Sequence, residues 1–315
     1  MPVGTSLAES HLLCEWRRRT PHRSGRSGPA GALRPGGRVY SFVGMKLSFS
    51  TLACPNWTLE QIIDAAVEFG AHGFDPRGIG PELDITKLPA FSSEIEKTRD
   101  LLKRKGVEVP CLNTSVKLVT PAQDRWQAML EEVRRYAVVA RQLSSRYLRI
   151  FGGAVPEGMT RQEACVLARR HLQQVVKVCG GEGCMPLLET HDDWATSGQV
   201  MMLLKDFPPE EAGCLWDIEH PYRRGESPQT TAQALRPYIR HTHFKDSVLK
   251  DGKSVPRLLG EGDLPLKEII NALRGTGYDQ WICLEAEKRW HPDITPDPQI
   301  TIPQFVAYMK KAWSA

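Results

Sequence analysis

The sequence predicts an α/β chain folded as a parallel, eight-stranded (β/α)8 TIM barrel over residues 45–315. Three observations predict it. From Met45 onward, strand-like runs alternate strictly with helix-like stripes, which implies a parallel sheet. Strand starts are spaced roughly 25–42 residues, the size of βα units, and eight units fill the stretch. Four strand-like runs end in carboxylate or imidazole, and barrels of this kind carry function at the C-terminal strand ends. A doubly wound open sheet is the competitor. It needs a glycine-rich phosphate turn after the first strand, and STLACPNW is not one.

The elements read in order as follows. Lys46–Thr51 alternates as a strand. Leu59, Ile62, Ile63, Ala66 and Val67 then share a helical face, with Thr58 as N-cap, Glu60 in the first turn and Gly70 as the stop. Gly73–Arg77 is a second strand, followed by a long loop and a helix over Ser92–Lys105. Val107–Thr114 is the third strand, and Trp126, Met129, Leu130, Val133 and Ala137 mark the next helix. Tyr147–Phe151 is the fourth strand, with a helix over Arg161–Cys179 behind it. Met185–His191 and Cys214–Pro221 carry the fifth and sixth strands, separated by a short helix near Gly198–Lys205. Pro228–Leu235 is a helix, and Ile239–Asp246 is the seventh strand. Leu266, Ile269, Ile270 and Leu273 form a stripe, Trp281–Glu287 is the eighth strand, and Ile302–Trp313 closes as a helix.

Residues 1–44 show neither period. They are rich in Arg, Gly, Ser and Pro and cannot bury enough apolar surface to order themselves. Three accounts fit: a non-native extension ahead of a start at Met45, a disordered tail, or an Arg-rich transit peptide. The formal net charge of +4 comes from this segment, whose seven arginines and two glutamates leave 34 basic and 35 acidic residues for the rest. The folded part thus offers no basic footprint for nucleic acid. No apolar run reaches the ~20 residues of a membrane span. The eight cysteines lack the paired spacing of a four-thiolate zinc site and read as reduced thiols of a cytoplasmic protein.

The charged strand ends carry the chemistry. In IRHTHFKD, His241 and His243 alternate and so face one side of a strand. MPLLETH delivers Glu189, CLWDIEHP delivers Asp217, and WICLEAE delivers Glu285. With His243 these make three carboxylates and one imidazole from the last four strands. Converging carboxylates without a cation repel one another, so the set calls for one divalent metal. Its oxygen-rich character suits Mn2+, with Mg2+, Co2+ and Zn2+ as the others it would accept. His191 and Lys245 each lie two residues beyond a proposed ligand and are candidates for holding substrate. Arg77 and Asp75 read as an internal ion pair, Glu261 as a loop-ordering group, and Trp194 and Trp216 as either core or a stacking surface for a sugar.

The runs LLETH, LWDIEHP, HTHFKD, LLGEGDLPL and ICLEAEKRWHP resemble the xylose-isomerase-like barrels, which include sugar and sugar-phosphate isomerases and epimerases and the endonuclease IV proteins. The resemblance covers about residues 45–315. It implies, from the ketose 3-epimerase branch, that Glu189, Asp217, His243 and Glu285 hold the metal. It implies further that Glu189 and Glu285 form the acid/base pair, and that His220 and Arg257 bind substrate. The expected activity is proton transfer on a small carbohydrate through an enediolate, giving isomerisation or epimerisation. A metal-dependent dehydratase or lyase on a keto-sugar or keto-inositol is the nearest alternative. An abasic-site endonuclease would need further histidines where GFDPRG, CLNTSVK and LLGEGD stand, and a non-catalytic sugar-binding barrel would have lost a glutamate. Oligomeric state stays open, although an exposed helical face on such barrels commonly pairs into a homo-oligomer.

Overall fold

The computed structural model describes residues 45–314. The expectation for residues 1–44 falls outside them. In chain order the elements are β1 (Lys46–Ser50), α1 (Leu59–Phe69), β2 (Gly73–Asp75), α2 (Ile95–Lys105), β3 (Cys111–Lys117), α3 (Gln123–Leu143) and β4 (Tyr147–Phe151). There follow α4 (Arg161–Gly181), β5 (Met185–Glu189), α5 (Ser197–Leu204), β6 (Gly213–Asp217), α6 (Glu219–Arg223) and α7 (Pro228–Leu235). The chain ends with β7 (Ile239–Phe244), β8 (Asp246–Lys250), β9 (Lys253–Arg257), α8 (Leu266–Gly275), β10 (Trp281–Leu284) and α9 (Pro298–Ser314).

Eight strands form one parallel sheet in the order β2-β1-β10-β7-β6-β5-β4-β3. The sheet curls into a nearly closed (β/α)8 barrel. Its seam lies between β2 and β3, where one parallel bridge, Gly73 to Glu108, and a few amide bonds such as Asn113 N to Pro76 O (3.1 Å) join the edges. Gly73 is required there, because a Cβ would sit 2.3 Å from the Glu108 carbonyl oxygen.

Helix starts are fixed by side chains. Thr58, Thr160 and Thr196 each close a capping box with the residue three positions on, and Gly70 ends α1 with φ 74°, the left-handed stop expected from its position. The third strand differs from expectation. Its ladder begins at Cys111, because Pro110 has no N–H to give, and it runs on to Lys117.

Strand alternation sorts the interior from the shell. Outward residues such as Phe49, Phe74, Leu112, Leu148, Ile150, Leu188, Phe244 and Ile282 join the main core against the helices. Inward residues at the base of the barrel make a separate small plug of Cys111, Tyr147, Leu187 and Leu215. One step further along each strand, the same parity brings Asp75, Asn113, Arg149, Glu189, Asp217 and His243 into the lumen, all buried. A packed apolar floor under a polar layer is how such a barrel supports a site at its C-terminal face.

Two features were not anticipated: the short helix α6, which follows β6 where the run was read on to Pro221, and a hairpin. β8 and β9 form an antiparallel hairpin beyond the barrel, turning at Asp251 (φ 50°) and Gly252 (φ 73°). An Asp-Gly pair between two short runs is the signal for such a turn.

Candidate metal centre and cavity

The four proposed ligands meet at one point. Glu189 ends β5, Asp217 ends β6, His243 lies in β7, and Glu285 follows β10. One potential ligand atom from each lies within 4.8 Å of all the others. His243 Nδ1 is 2.9 Å from Glu189 Oε1 and 3.1 Å from Glu285 Oε1. All four are buried, with Glu285 the least so at 5% exposure.

Three buried carboxylates in this space are electrostatically unfinished. Asp217 Oδ2 and Glu189 Oε2 accept no well-formed hydrogen bond and meet only a cation each, Lys245 Nζ at 2.9 Å and Arg149 Nη1 at 3.4 Å. Burial pushes Asp217 up to about 8; Lys245 opposes this, while Glu285 and Glu189 add to it. Glu189 is held down at about 2: burial would raise it, but Arg149 and His243 prevail. Glu285 lies well below the usual carboxylate range, since His243 and Lys245 outweigh its burial. His243 is drawn well above its ordinary value, because Glu285, Cys283 and Glu189 overcome its burial. Three buried carboxylates and one imidazole nitrogen gathered at one point fit a divalent cation of the hard, oxygen-preferring kind.

Residues around the cluster orient it. Asp75 Oδ2 accepts from His241 Nε2 at 2.6 Å and lies 4.0 Å from His243 Nε2. The expected Asp75–Arg77 pair does not form, since Asp75 reaches across the lumen to the histidines. Lys245 Nζ is 2.9 Å from both Asp217 Oδ2 and Glu285 Oε2 and 3.4 Å from Glu287 Oε1. Its ammonium is committed to carboxylates, whereas the sequence suggested a grip on substrate.

The other candidates line the opening. His191 and His220 rings meet edge-on at 4.3 Å, and His220 Nε2 is 3.6 Å from Asp217 Oδ2. Burial, then Lys245 and His191, push His220 down to about 3, so it stays neutral. His191 is raised: burial lowers it, but Asp192 at 2.9 Å and Glu189 prevail. Arg257 sits exposed at the end of β9, donates to the Pro256 carbonyl at 2.8 Å, and borders the same cavity of about 310 Å3 as His191, His220 and Lys245.

A second cavity of about 380 Å3 adjoins it, sharing His191, Glu285 and Glu287, and runs toward Arg77, Lys117 and Arg149. Arg149 Nη1 lies 3.4 Å from Glu189 Oε2 and the guanidinium rests 3.9 Å from the Phe151 ring centroid. Trp290, 44% exposed, stands at its edge. Sequence reasoning gave no role here to Arg149, Lys117 or Trp290. The signal for Arg149 was present: with Leu148 and Ile150 outward, period two turns it inward. Trp194 and Trp216 belong to the core, and Trp194 packs so closely that a Cβ on Gly152 would meet it at 2.1 Å.

The loop bearing LLGEGD is ordered by Asp246, where Glu261 was expected. Asp246 accepts from the amides of Ser247, Gly260, Gly262 and Leu264 at 2.9, 2.8, 3.0 and 3.3 Å. Glu261 is exposed. Among the described residues, seven cysteines are free and buried, and no helix is long and apolar enough to cross a membrane.

Residues 63–308 match the family described as the xylose isomerase-like TIM barrel. Among curated proteins, an inosose dehydratase of Lacticaseibacillus casei is 30% identical over 111 residues, 30% of this chain and 36% of that protein. The match thus spans about a third of that relative's length. A 3-dehydroshikimate dehydratase of Bacillus anthracis is 23% identical over 209 residues, 64% of this chain and 72% of that protein. Among solved structures, a D-tagatose 3-epimerase-like protein superposes with a TM-score of 0.70 at 18% identity, covering 86% of this chain and 97% of that one.

Proposed function

The chain belongs to the xylose isomerase-like TIM barrel family, and from that premise we propose that it is a divalent-metal-dependent carbohydrate isomerase or epimerase. One observation carries the reading. Two buried glutamates from non-neighbouring strands, Glu189 and Glu285, reach the same point, with Asp217 and His243 between them.

Glu189, Asp217, His243 and Glu285 would hold the metal, with Mn2+ the best match to the donor set. When bound, a divalent ion polarises a carbonyl and stabilises the negative charge left as the adjacent carbon loses its proton. The rest is done by this chain's own groups. A carbon seated between Glu189 and Glu285 offers one face to each. Proton removal by one glutamate and return by the other inverts that carbon; return to the neighbouring carbon isomerises. Arg149 keeps Glu189 ionised, and His243 with Lys245 does the same for Glu285. His220, neutral at the rim, is suited to accept a hydrogen bond from a substrate hydroxyl. The metal cluster and substrate cavity support the named roles of His191 and Arg257 at the rim.

A dehydratase is the second reading, and His191 favours it. That ring is drawn toward its protonated form beside a neutral His220, an arrangement that can protonate a departing hydroxyl. Both curated relatives are dehydratases by name. Incubating the Mn2+-loaded protein with ketoses and keto-inositols in D2O separates the two. Deuterium incorporation with conserved carbon skeleton and hydroxyls supports isomerase or epimerase. Loss of water with a new alkene signal supports the dehydratase. No exchange of a carbon-bound proton on any member sinks both.

A further inference from the structure

We propose that the substrate carries an oxyanion, phosphate or carboxylate, seated on Arg77 just past β2, Lys117 at the end of β3 and Arg149 within β4. The inference rests on the reading of this cavity as the substrate site and adds the class of substrate it takes.

Strand parity places the three cations. Leu148 and Ile150 pack outward against the helices, so Arg149 turns to the inside, and it is joined there by Arg77, two residues past β2, and Lys117, at the end of β3. All three line the cavity that reaches Glu189 and Glu285. Two are buried guanidiniums: Arg149 is 1% exposed and Arg77 8%. Their hydrogen-bonding capacity is largely unmet: Arg149 Nε and Arg77 Nη1 have no hydrogen-bond partner, and Arg149 Nη1 has only its 3.4 Å ion pair with Glu189. Buried unpaired N–H groups of a charged fork are costly, and each costs more beside a second like charge. Arg77 senses that charge: burial first, then Arg149, hold it down to about 10.

The carboxylates on the same cavity do not answer this need. Asp192 is engaged by His191 at 2.9 Å and Glu287 by Lys245 at 3.4 Å. Glu189 and Glu285 face the metal centre, and Arg149 touches only the outer oxygen of Glu189, at 3.4 Å. Among the described residues Arg77 and Lys117 make no ion pair. Two planar forks and an ammonium around one space match the several acceptor oxygens of a phosphate or carboxylate. The aromatic edge of Trp290 and the Phe151 ring beneath Arg149 flank that position. Metal at one end and cations at the other would stretch the substrate across the barrel mouth, fixing which carbon lies between the glutamates.

A matched set of ligands tests this: D-fructose, D-fructose 6-phosphate and D-fructuronate differ only at the sixth carbon. Calorimetry on the Mn2+-loaded full chain at low ionic strength should find one anionic member bound at least tenfold tighter than fructose, and the tighter one names the anion. Inorganic phosphate and acetate serve as sugar-independent probes, and one of them should raise Tm. Arg77→Gln and Lys117→Met should each cut the anionic preference at least fivefold and shrink that Tm rise. Lys117 is exposed, so its variant keeps the test open should Arg77→Gln fail to fold. Equal binding of all three sugars with no shift from either small anion overturns the proposal, as does a preference that survives both substitutions. Proton exchange on neutral ketoses without anionic preference defeats the oxyanion site alone. Anionic preference without exchange on any ketose defeats the proposed chemistry alone.

Discussion

Metal binding should release about two protons per ion at pH 7, and the structure says which two. Cation ligation needs deprotonated donors. Glu189, held at about 2, and Glu285, well below its usual range, have none to give. Asp217, pushed up to about 8 by burial, gives up its proton within the neutral range. His243 is raised well above 6.5 and carries a proton on both ring nitrogens at pH 7. Its Nδ1 faces the carboxylates and must lose that proton, while Nε2 keeps its own on the Asp75 side. The sign follows from linkage: the free protein holds more protons than the loaded one, so affinity rises with pH. The apparent association constant for Mn2+ should climb roughly a hundredfold per pH unit below pH 8, and roughly tenfold per unit once Asp217 has titrated. Calorimetry in buffers of different ionisation enthalpy counts the protons directly. Asp217→Asn should release only one, with weaker binding. An affinity flat between pH 6 and pH 8, with no proton released, would refute the ligand set.

Three further outcomes are expected. Glu189→Gln and Glu285→Gln each keep an oxygen donor but lose the base, so turnover should fall by at least the ~10²–10⁴-fold of acid–base catalysis with a smaller loss of metal affinity; in an epimerase each variant should still exchange the proton of one epimer, and unchanged turnover would remove both from the mechanism. Asp75→Asn removes the carboxylate that accepts from His241 and stands 4.0 Å from His243 Nε2, and should weaken metal binding about 10–100-fold in a chelator competition, whereas wild-type affinity would mean that His243 is held without it. Gly262→Ala sets a Cβ 2.0 Å from Asp246 Oδ1 and should cost about 2 kcal/mol or more, a Tm loss of roughly 4–8 °C; Gly180→Ala, in open space within α4, should raise Tm slightly, and equal effects would discount the Asp246 contact.

The barrel was legible in the sequence because its two periods are clean. Helices α1 and α8 show apolar stripes with sharp ends, and strands buried on both sides read as short apolar runs. The convergence of four polar side chains was legible because Glu189, Asp217, His243 and Glu285 break apolar runs at the same relative place. Other features hid for physical reasons. The β8–β9 hairpin is largely exposed and polar, so no apolar pattern marks it. Arg149 sits inside a run, YLRIF, whose mean character is that of a core strand, and only its parity gives it away. Asp75 and Arg77 share a face two residues apart, which suggested a pair. Which partner each takes depends on strands far off in sequence, such as β7 for Asp75.

The seam between β2 and β3 gives the barrel a compliant side and a stiff one. β2 holds three residues, paired along its length only with β1, while β10, β7, β6 and β5 are each laddered to the next, with one irregularity at Cys214–Leu215. Thermal opening therefore starts at the seam, where the fewest ladder bonds must part. Glu189, Asp217, His243 and Glu285 all sit on the laddered arc, whereas Arg77 and Lys117 stand on either lip of the gap. A molecule sprung at that lip keeps Glu189, Asp217, His243 and Glu285 on one arc but loses Asp75, the acceptor of His241, with the opposite wall. On the proposed reading, a heated or aged sample would therefore loosen its ion and lose the rim together, and falling metal affinity would report the opened seam.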